Sequence, residues 1–122
     1  MTTFTEARHP GEHILSEANG ALSREQVTLA SGNNLAAGTV LGIITASGKY
    51  AVFDQDASDG TEEAAGVLYE AVDASGGDED AVVHVRQCEV AGAALTWPGD
   101  ITGPEQIAAE AELAALGIIV RT

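Results

Sequence analysis

The chain has 122 residues and a mass of 12.4 kDa, which suffices for one domain and excludes a large multidomain enzyme. Its 5 Lys and Arg against 19 Asp and Glu give a formal net charge of −14, which argues against nucleic acid as a partner because every phosphate would repel it. Only 4% of the residues are aromatic, so the predicted core is thin and favours self-association, and the single cysteine, Cys88, excludes an intramolecular disulfide.

Residues 1–22 are predicted to form a flexible N-terminal arm in front of a body at residues 23–122. The arm is mostly polar and contains Pro10, a short apolar patch at Ile14-Leu15 and a strong turn signal at Asn19-Gly20. Its first residues lack the basic and apolar regions of a secretory signal, and no stretch approaches the roughly 18 apolar residues of a membrane span. We therefore expect a protein that is made in the cytoplasm and has no membrane partner.

The body is predicted to be mainly β, because short runs of β-branched and apolar residues alternate with Gly-containing turns. A strand over residues 81–90 would place Val83 and Val85 on one face, with His84 and Cys88 on the other. The main predicted strands are 39–45, 49–53, 66–69 and 81–90. With the helix described next, this pattern predicts a single α+β domain.

One helix near the C-terminus is predicted from its ends. Thr102-Gly103-Pro104-Glu105 has the pattern of a capping box with proline in the first turn, and Gly117 is placed to end the helix. Leu113 and Leu116 fall on the side of the helix that carries Glu105 and Glu112, where either loops cover them or they contact another subunit. A charge-free arc is expected to pack on the sheet, and it contains Ile107, Ala108, Ala111, Ala114 and Ala115.

The sequence shows no set of residues for catalysis. His84 and Cys88 are four residues apart, which in a strand separates them by about 13 Å, too far for a thiolate–imidazole pair. The glycine, serine and histidine motifs of nucleotide-binding proteins, hydrolases and metalloproteases are absent. We therefore expect a protein that is not an enzyme.

Two groups of residues are considered as metal sites. The run Asp54–Gly60 supplies clustered oxygen ligands of the kind that calcium prefers, but its glycine falls one position too late for an EF-hand loop, and Ala65 stands where a glutamate is needed. We interpret it as a solvated acidic loop, with loose cation binding left open. His9 and His13 have i, i+4 spacing, yet the Pro-Gly pair between them prevents a helix. No metal or cofactor is expected.

Several short motifs occur in an order that resembles the one in the head decoration proteins of tailed bacteriophages, the lambda decoration protein D family. The resemblance covers about residues 23–120. It is carried by Ser23-Arg24-Glu25, Leu35-Ala36-Ala37-Gly38-Thr39-Val40-Leu41-Gly42, Asp59-Gly60 followed by Ala65-Gly66-Val67-Leu68, Leu95-Thr96-Trp97-Pro98, and Gly117-Ile118-Ile119-Val120.

This resemblance implies a β-tulip-like body that forms a homotrimer on the outside of the expanded capsid, within the virion, and cements neighbouring capsomers. It also implies that the N-terminal arm adds a strand to the major capsid protein, a mode of binding in which backbone hydrogen bonds supply affinity. The candidate arm contacts are Phe4, His13, Ile14, Leu15 and Ser16. The possible trimer contacts are Leu113, Leu116, Trp97 and Pro98.

An alternative function is a small-ligand-binding module. The segment Leu35-Ala36-Ala37-Gly38-Thr39-Val40 also resembles turns in β-clip domains that bind sugar acids. Such a module needs a pocket with a few convergent polar groups, and the sequence shows no cluster of aromatic and basic residues for a sugar acid. A pocket of that composition would favour this alternative over capsid decoration.

Overall fold

The computed structural model describes residues 9–122, which form ten strands, a short 3-10 turn and one α-helix. The helix α1 spans Gly103–Ala115 and the 3-10 turn spans Gly92–Ala94. The strands in chain order are β1 (Ile14–Glu17), β2 (Arg24–Leu29), β3 (Asn34–Leu35), β4 (Val40–Ile43), β5 (Tyr50–Val52), β6 (Gly66–Leu68), β7 (Val72–Asp73), β8 (Glu79–His84), β9 (Cys88–Ala91) and β10 (Ile118–Arg121). The prediction of a mainly β chain with one helix near the C-terminus is confirmed.

Five strands close into a small barrel in the order β2-β5-β4-β6-β8. The longest pairing joins β2 and β8 in antiparallel register from Arg24 opposite His84 to Leu29 opposite Glu79. The contact between β2 and β5 is parallel and consists of the single pair Leu29 and Tyr50. Alternate side chains of each strand point inward and fill the barrel, among them Leu29, Leu41, Leu68 and Val83.

A second sheet of three strands, in the order β1-β9-β10, lies beside the barrel. β10 runs parallel to β9, and α1 supplies the crossover that a parallel pair requires. β1 runs antiparallel to β9 and forms one edge of this sheet. A second core lies between the sheet, the helix and the barrel, and its buried residues include Phe53, Val90, Leu113 and Ile118.

The ends of α1 agree with the prediction, but its buried face does not. Thr102 Oγ1 accepts a hydrogen bond from the Glu105 backbone N–H, the Glu105 carboxylate accepts one from the Thr102 N–H, and Gly117 follows the helix with a φ of 89°. The buried residues of the helix are Ala109 and Leu113. The expected packing face is exposed instead, and it contains Ile107, Ala108, Ala111, Ala114 and Ala115.

The error in the helix face has a physical cause. The prediction treats glutamates as marks of the solvent side, but Glu105 caps the helix and Glu112 accepts a hydrogen bond of 3.1 Å from the Ala64 backbone N–H. Both acids therefore lie close to the packed side, where they accept hydrogen bonds from backbone N–H groups.

No helix in the described part of the chain is long and apolar enough to span a membrane.

The predicted strand over residues 81–90 is also wrong, because the chain turns between β8 and β9. Gln87 has a φ of 47°, the left-handed conformation, and Ser23 Oγ donates a 2.8 Å hydrogen bond to the Gln87 carbonyl. Neither Arg86 nor Gln87 is a typical turn residue, so no local signal predicts this break. His84 and Cys88 consequently belong to different sheets.

Candidate functional site

The first described residues of the predicted arm are attached to the body. The Gly11 N–H donates a 2.9 Å hydrogen bond to the Tyr69 carbonyl. Gly11 has a φ of 69°, and a Cβ there would lie 2.9 Å from the Tyr69 ring, so glycine permits this close approach. His13 follows the turn and is fully buried. Residues 9–13 are therefore part of the folded structure.

Three of the candidate arm residues, Ile14, Leu15 and Ser16, lie on β1 at one sheet edge, and a fourth, His13, directly precedes it. Ile14 pairs with Val90 and packs against the second core, next to buried His13, and the register shifts by a bulge between Ile14 and Ser16. Leu15 points outward and is 56% exposed, whereas Ser16 Oγ donates a 3.0 Å hydrogen bond to a Glu89 carboxylate oxygen. The fifth candidate, Phe4, lies outside the described residues.

The end of β1 is held to the barrel by Glu17. Its carboxylate oxygens lie 2.7 Å from Arg24 Nη2 and 2.6 Å from His84 Nε2, and the Arg24 guanidinium stacks 4.4 Å above the centroid of the Tyr69 ring. Hydrogen bonds from Arg24, and then from His84, lower the pKa of Glu17 from 4.5 to about 2. This cluster fixes β1 against β2 and β8. No sequence pattern marks it, because Glu17 and His84 are 67 residues apart.

The arrangement around Cys88 does not support nucleophilic catalysis. The thiol is buried in β9, and burial raises its pKa to about 11, so it stays protonated at neutral pH. His84 lies on β8, and its Nε2 is hydrogen-bonded to the Glu17 carboxylate. The histidine and the thiol therefore do not form a pair.

The acidic loop at Asp54–Gly60 is held by its own backbone. Asp54 accepts a 3.0 Å hydrogen bond from the Asp56 N–H, and Asp59 accepts bonds from the N–H and the hydroxyl of Thr61, which lower the pKa of Asp59. Within residues 9–122, no three His, Cys, Asp or Glu side chains are placed to hold a metal ion together.

Trp97 and Pro98, two of the predicted trimer contacts, line an open groove of about 440 Å³. Trp97 packs edge-on against Phe53, with the ring centroids 5.9 Å apart and the ring planes at 86°. The lining includes aspartates but no Lys, Arg or His. A sugar acid would place its carboxylate among like charges there, so this groove does not favour the alternative of a sugar-acid module.

The other two predicted trimer contacts differ in exposure. Leu113 is fully buried in the second core, so it cannot touch another subunit, whereas Leu116 is 44% exposed. Ile107 is a large apolar residue on α1 that is 69% exposed, and its face continues through the exposed Ala111 and Ala114. The sequence pattern predicts this face as part of the core, and the structure shows it exposed instead.

Comparison with known proteins gives one family. The family model for bacteriophage lambda head decoration protein D matches residues 3–118, which is nearly the whole chain. No match to a curated protein was found. The matched range includes β1, the barrel and α1, so the comparison covers both the body and most of the predicted arm.

Proposed function

The chain belongs to the bacteriophage lambda head decoration protein D family, and from this we propose that it coats the outer surface of the expanded phage head as a homotrimer and stabilises the shell. The match over residues 3–118 is the observation that carries this conclusion. The family is a structural one of the virion head and not a known class of enzyme. We further propose that the chain is made in the host cytoplasm before it joins the capsid.

We propose that residues preceding β1 add a strand to the major capsid protein. β1 supports this because it is an edge strand, hydrogen-bonded to β9 along one side. An edge strand is a template for a further strand, and a chain continuous with it can extend the sheet into a partner. Phe4 and the exposed Leu15 side chain would then provide apolar contacts with the capsid.

His13 and Ile14 have a different role in this proposal. His13 is fully buried and Ile14 is partly buried against the second core, so they anchor the base of the arm while residues ahead of them reach the capsid. Ser16 and Glu17 assist through Glu89, Arg24 and His84. The boundary between arm and body that the sequence predicts at residue 22 stays a prediction. Because β1 pairs with β9, we propose that the segment that binds the capsid is shorter and ends before β1.

We propose that the trimer forms through exposed apolar surface on α1. Its charge-free face and the neighbouring Leu116 offer apolar area that a lone chain leaves in water. Small alanine side chains allow another subunit to approach the helix closely. Once one arm of a trimer has bound, the other two bind at high effective concentration, so weak contacts add to a firm attachment.

Deletion of residues 1–8 tests the arm. This variant keeps β1 and its Glu17 cluster, so we expect an unchanged thermal unfolding curve and an unchanged oligomeric state, together with a loss of binding to emptied, expanded capsids in cosedimentation. Full-length protein is the positive control. If the shortened chain still coats capsids as well as the full-length chain, residues 1–8 do not supply the capsid strand.

A further inference from the structure

The groove beside Trp97 combines an apolar floor with an acidic rim. Leu35, Val52 and Trp97 line its apolar part, and Val52 is 38% exposed although it is a large hydrophobic residue in a strand. Asp56 and Asp100 line the rim, and both are exposed. A surface of this kind fits a chain segment that brings an apolar side chain and a positive charge together.

The rim carboxylates have no basic partner within residues 9–122. Asp56 and Asp100 both accept hydrogen bonds from the Gln55 side-chain amide, at 3.2 and 3.0 Å. The basic side chains in this part of the chain form ion pairs elsewhere, which are Arg24 with Glu17, Lys49 with Asp78, Arg86 with Glu25 and Arg121 with Glu89. Among the described residues, no Lys or Arg side chain therefore neutralises the rim, which favours a basic binding partner there.

We propose that the groove binds an extended segment of the capsid protein in which an apolar side chain neighbours a lysine or arginine. This inference rests on the proposed function, and it adds a second contact to the one made by the arm. Charge decides between the possible occupants. A second copy of this chain is disfavoured because its described Lys and Arg side chains already form ion pairs within that copy, which leaves none of them to pair with the rim.

The double variant Asp56→Asn/Asp100→Asn tests the inference in the full chain. It removes two rim charges while keeping the size of both side chains and an oxygen acceptor for Gln55. The matched control is Glu70→Gln/Asp80→Asn, which removes two exposed charges that do not line the groove. We expect capsid affinity to fall about tenfold in the groove variant and to change less than about twofold in the control, with a weaker salt dependence for the groove variant alone.

Each outcome has a distinct meaning. If wild-type protein binds expanded capsids and the groove variant binds equally well, the inference about the groove is overturned and the proposed function stands. If wild-type protein does not bind, both are overturned. If the groove variant changes sedimentation of the free protein and leaves capsid affinity intact, the groove is a contact between copies of this chain, which also overturns the inference.

Discussion

Glu17 connects three parts of the molecule through one carboxylate. It ends β1, pairs with Arg24 on β2 and lies against His84 on β8. Because the His84 side chain is fully buried, removing its acidic partner leaves a polar ring in an apolar setting. The attachment of the N-terminal segment therefore depends on this residue more than its position in a predicted arm suggests.

We predict that Glu17→Gln lowers the free energy of unfolding by about 1–3 kcal/mol at pH 7, because hydrogen bonds to a charged group are lost. The pKa of Glu17 is about 2 in the folded chain, below its ordinary value of 4.5, so its contribution is present above pH 4.5 and disappears as the pH falls towards 2. Urea unfolding at pH 7 and at pH 2–4 should show the two proteins converging in acid.

Glu70→Gln is the control for this measurement, because Glu70 is an exposed glutamate outside the cluster. We expect it to follow the wild-type stability within about 0.5 kcal/mol at each pH. Equal stability of wild type and Glu17→Gln at pH 7 would show that the cluster does not hold β1.

The helix α1 has two apolar faces, of which one is buried and the other is exposed. One face, with Ala109 and Leu113, packs into the second core. The opposite face, with Ile107, Ala111 and Ala114, stays exposed in the single chain. The buried face cannot be identified from the helix pattern alone, because the glutamates beside it accept hydrogen bonds from backbone N–H groups and do not mark the solvent side.

We predict opposite outcomes for two substitutions in α1. Leu113→Ala should lower the free energy of unfolding by about 2–5 kcal/mol, because it opens a cavity in the core. Ile107→Glu should leave the single chain stable within about 0.5 kcal/mol, because the residue is 69% exposed, and should weaken self-association. Thermal melts and sedimentation equilibrium measure the two effects. Unchanged self-association in Ile107→Glu would rule out this helix face as the trimer contact.

At the scale of the whole molecule, charge opposes assembly. Each chain carries −14, and the proposed trimer would concentrate three such chains within a few nanometres. The four ion pairs between basic and acidic side chains that are described above are at least partly exposed, so they offset little of this repulsion. In the proposed trimer, apolar contacts would therefore have to hold the subunits together against their charge.

We predict that the proposed trimer, free of capsid, melts at a higher temperature as salt is raised from 0.01 M to 0.15 M. Over this range the Debye length falls from about 30 Å to about 8 Å, so the salt screens the repulsion between subunits more strongly. Capsid affinity should move in the opposite direction if the acidic groove binds a basic segment. Thermal melts and capsid-binding isotherms at both salt concentrations separate the two effects. A trimer that melts lower in added salt would contradict the repulsion argument.

Features that depend on near neighbours in the chain can be predicted from the amino-acid sequence. Thr102, Glu105 and Gly117 define the helix ends through contacts within a few residues, and Gly-punctuated apolar runs define β4, β5 and β6. The ordered short motifs also identified the family that the match over residues 3–118 shows. Local hydrogen bonds and steric preferences carry this information, so it can be obtained without the tertiary structure.

Which surfaces are buried and which stay exposed depends on contacts between distant parts of the chain. The pairing of β1 with β9, the contact of Glu17 with His84 and the meeting of Asp56 with Asp100 each join residues that are far apart in the chain. The turn at Gln87 and the buried face of α1 depend in the same way on distant partners, Ser23 and Ala64. Burial is a property of packed elements, and a periodic pattern gives the faces of an element without saying which one the rest of the chain will cover.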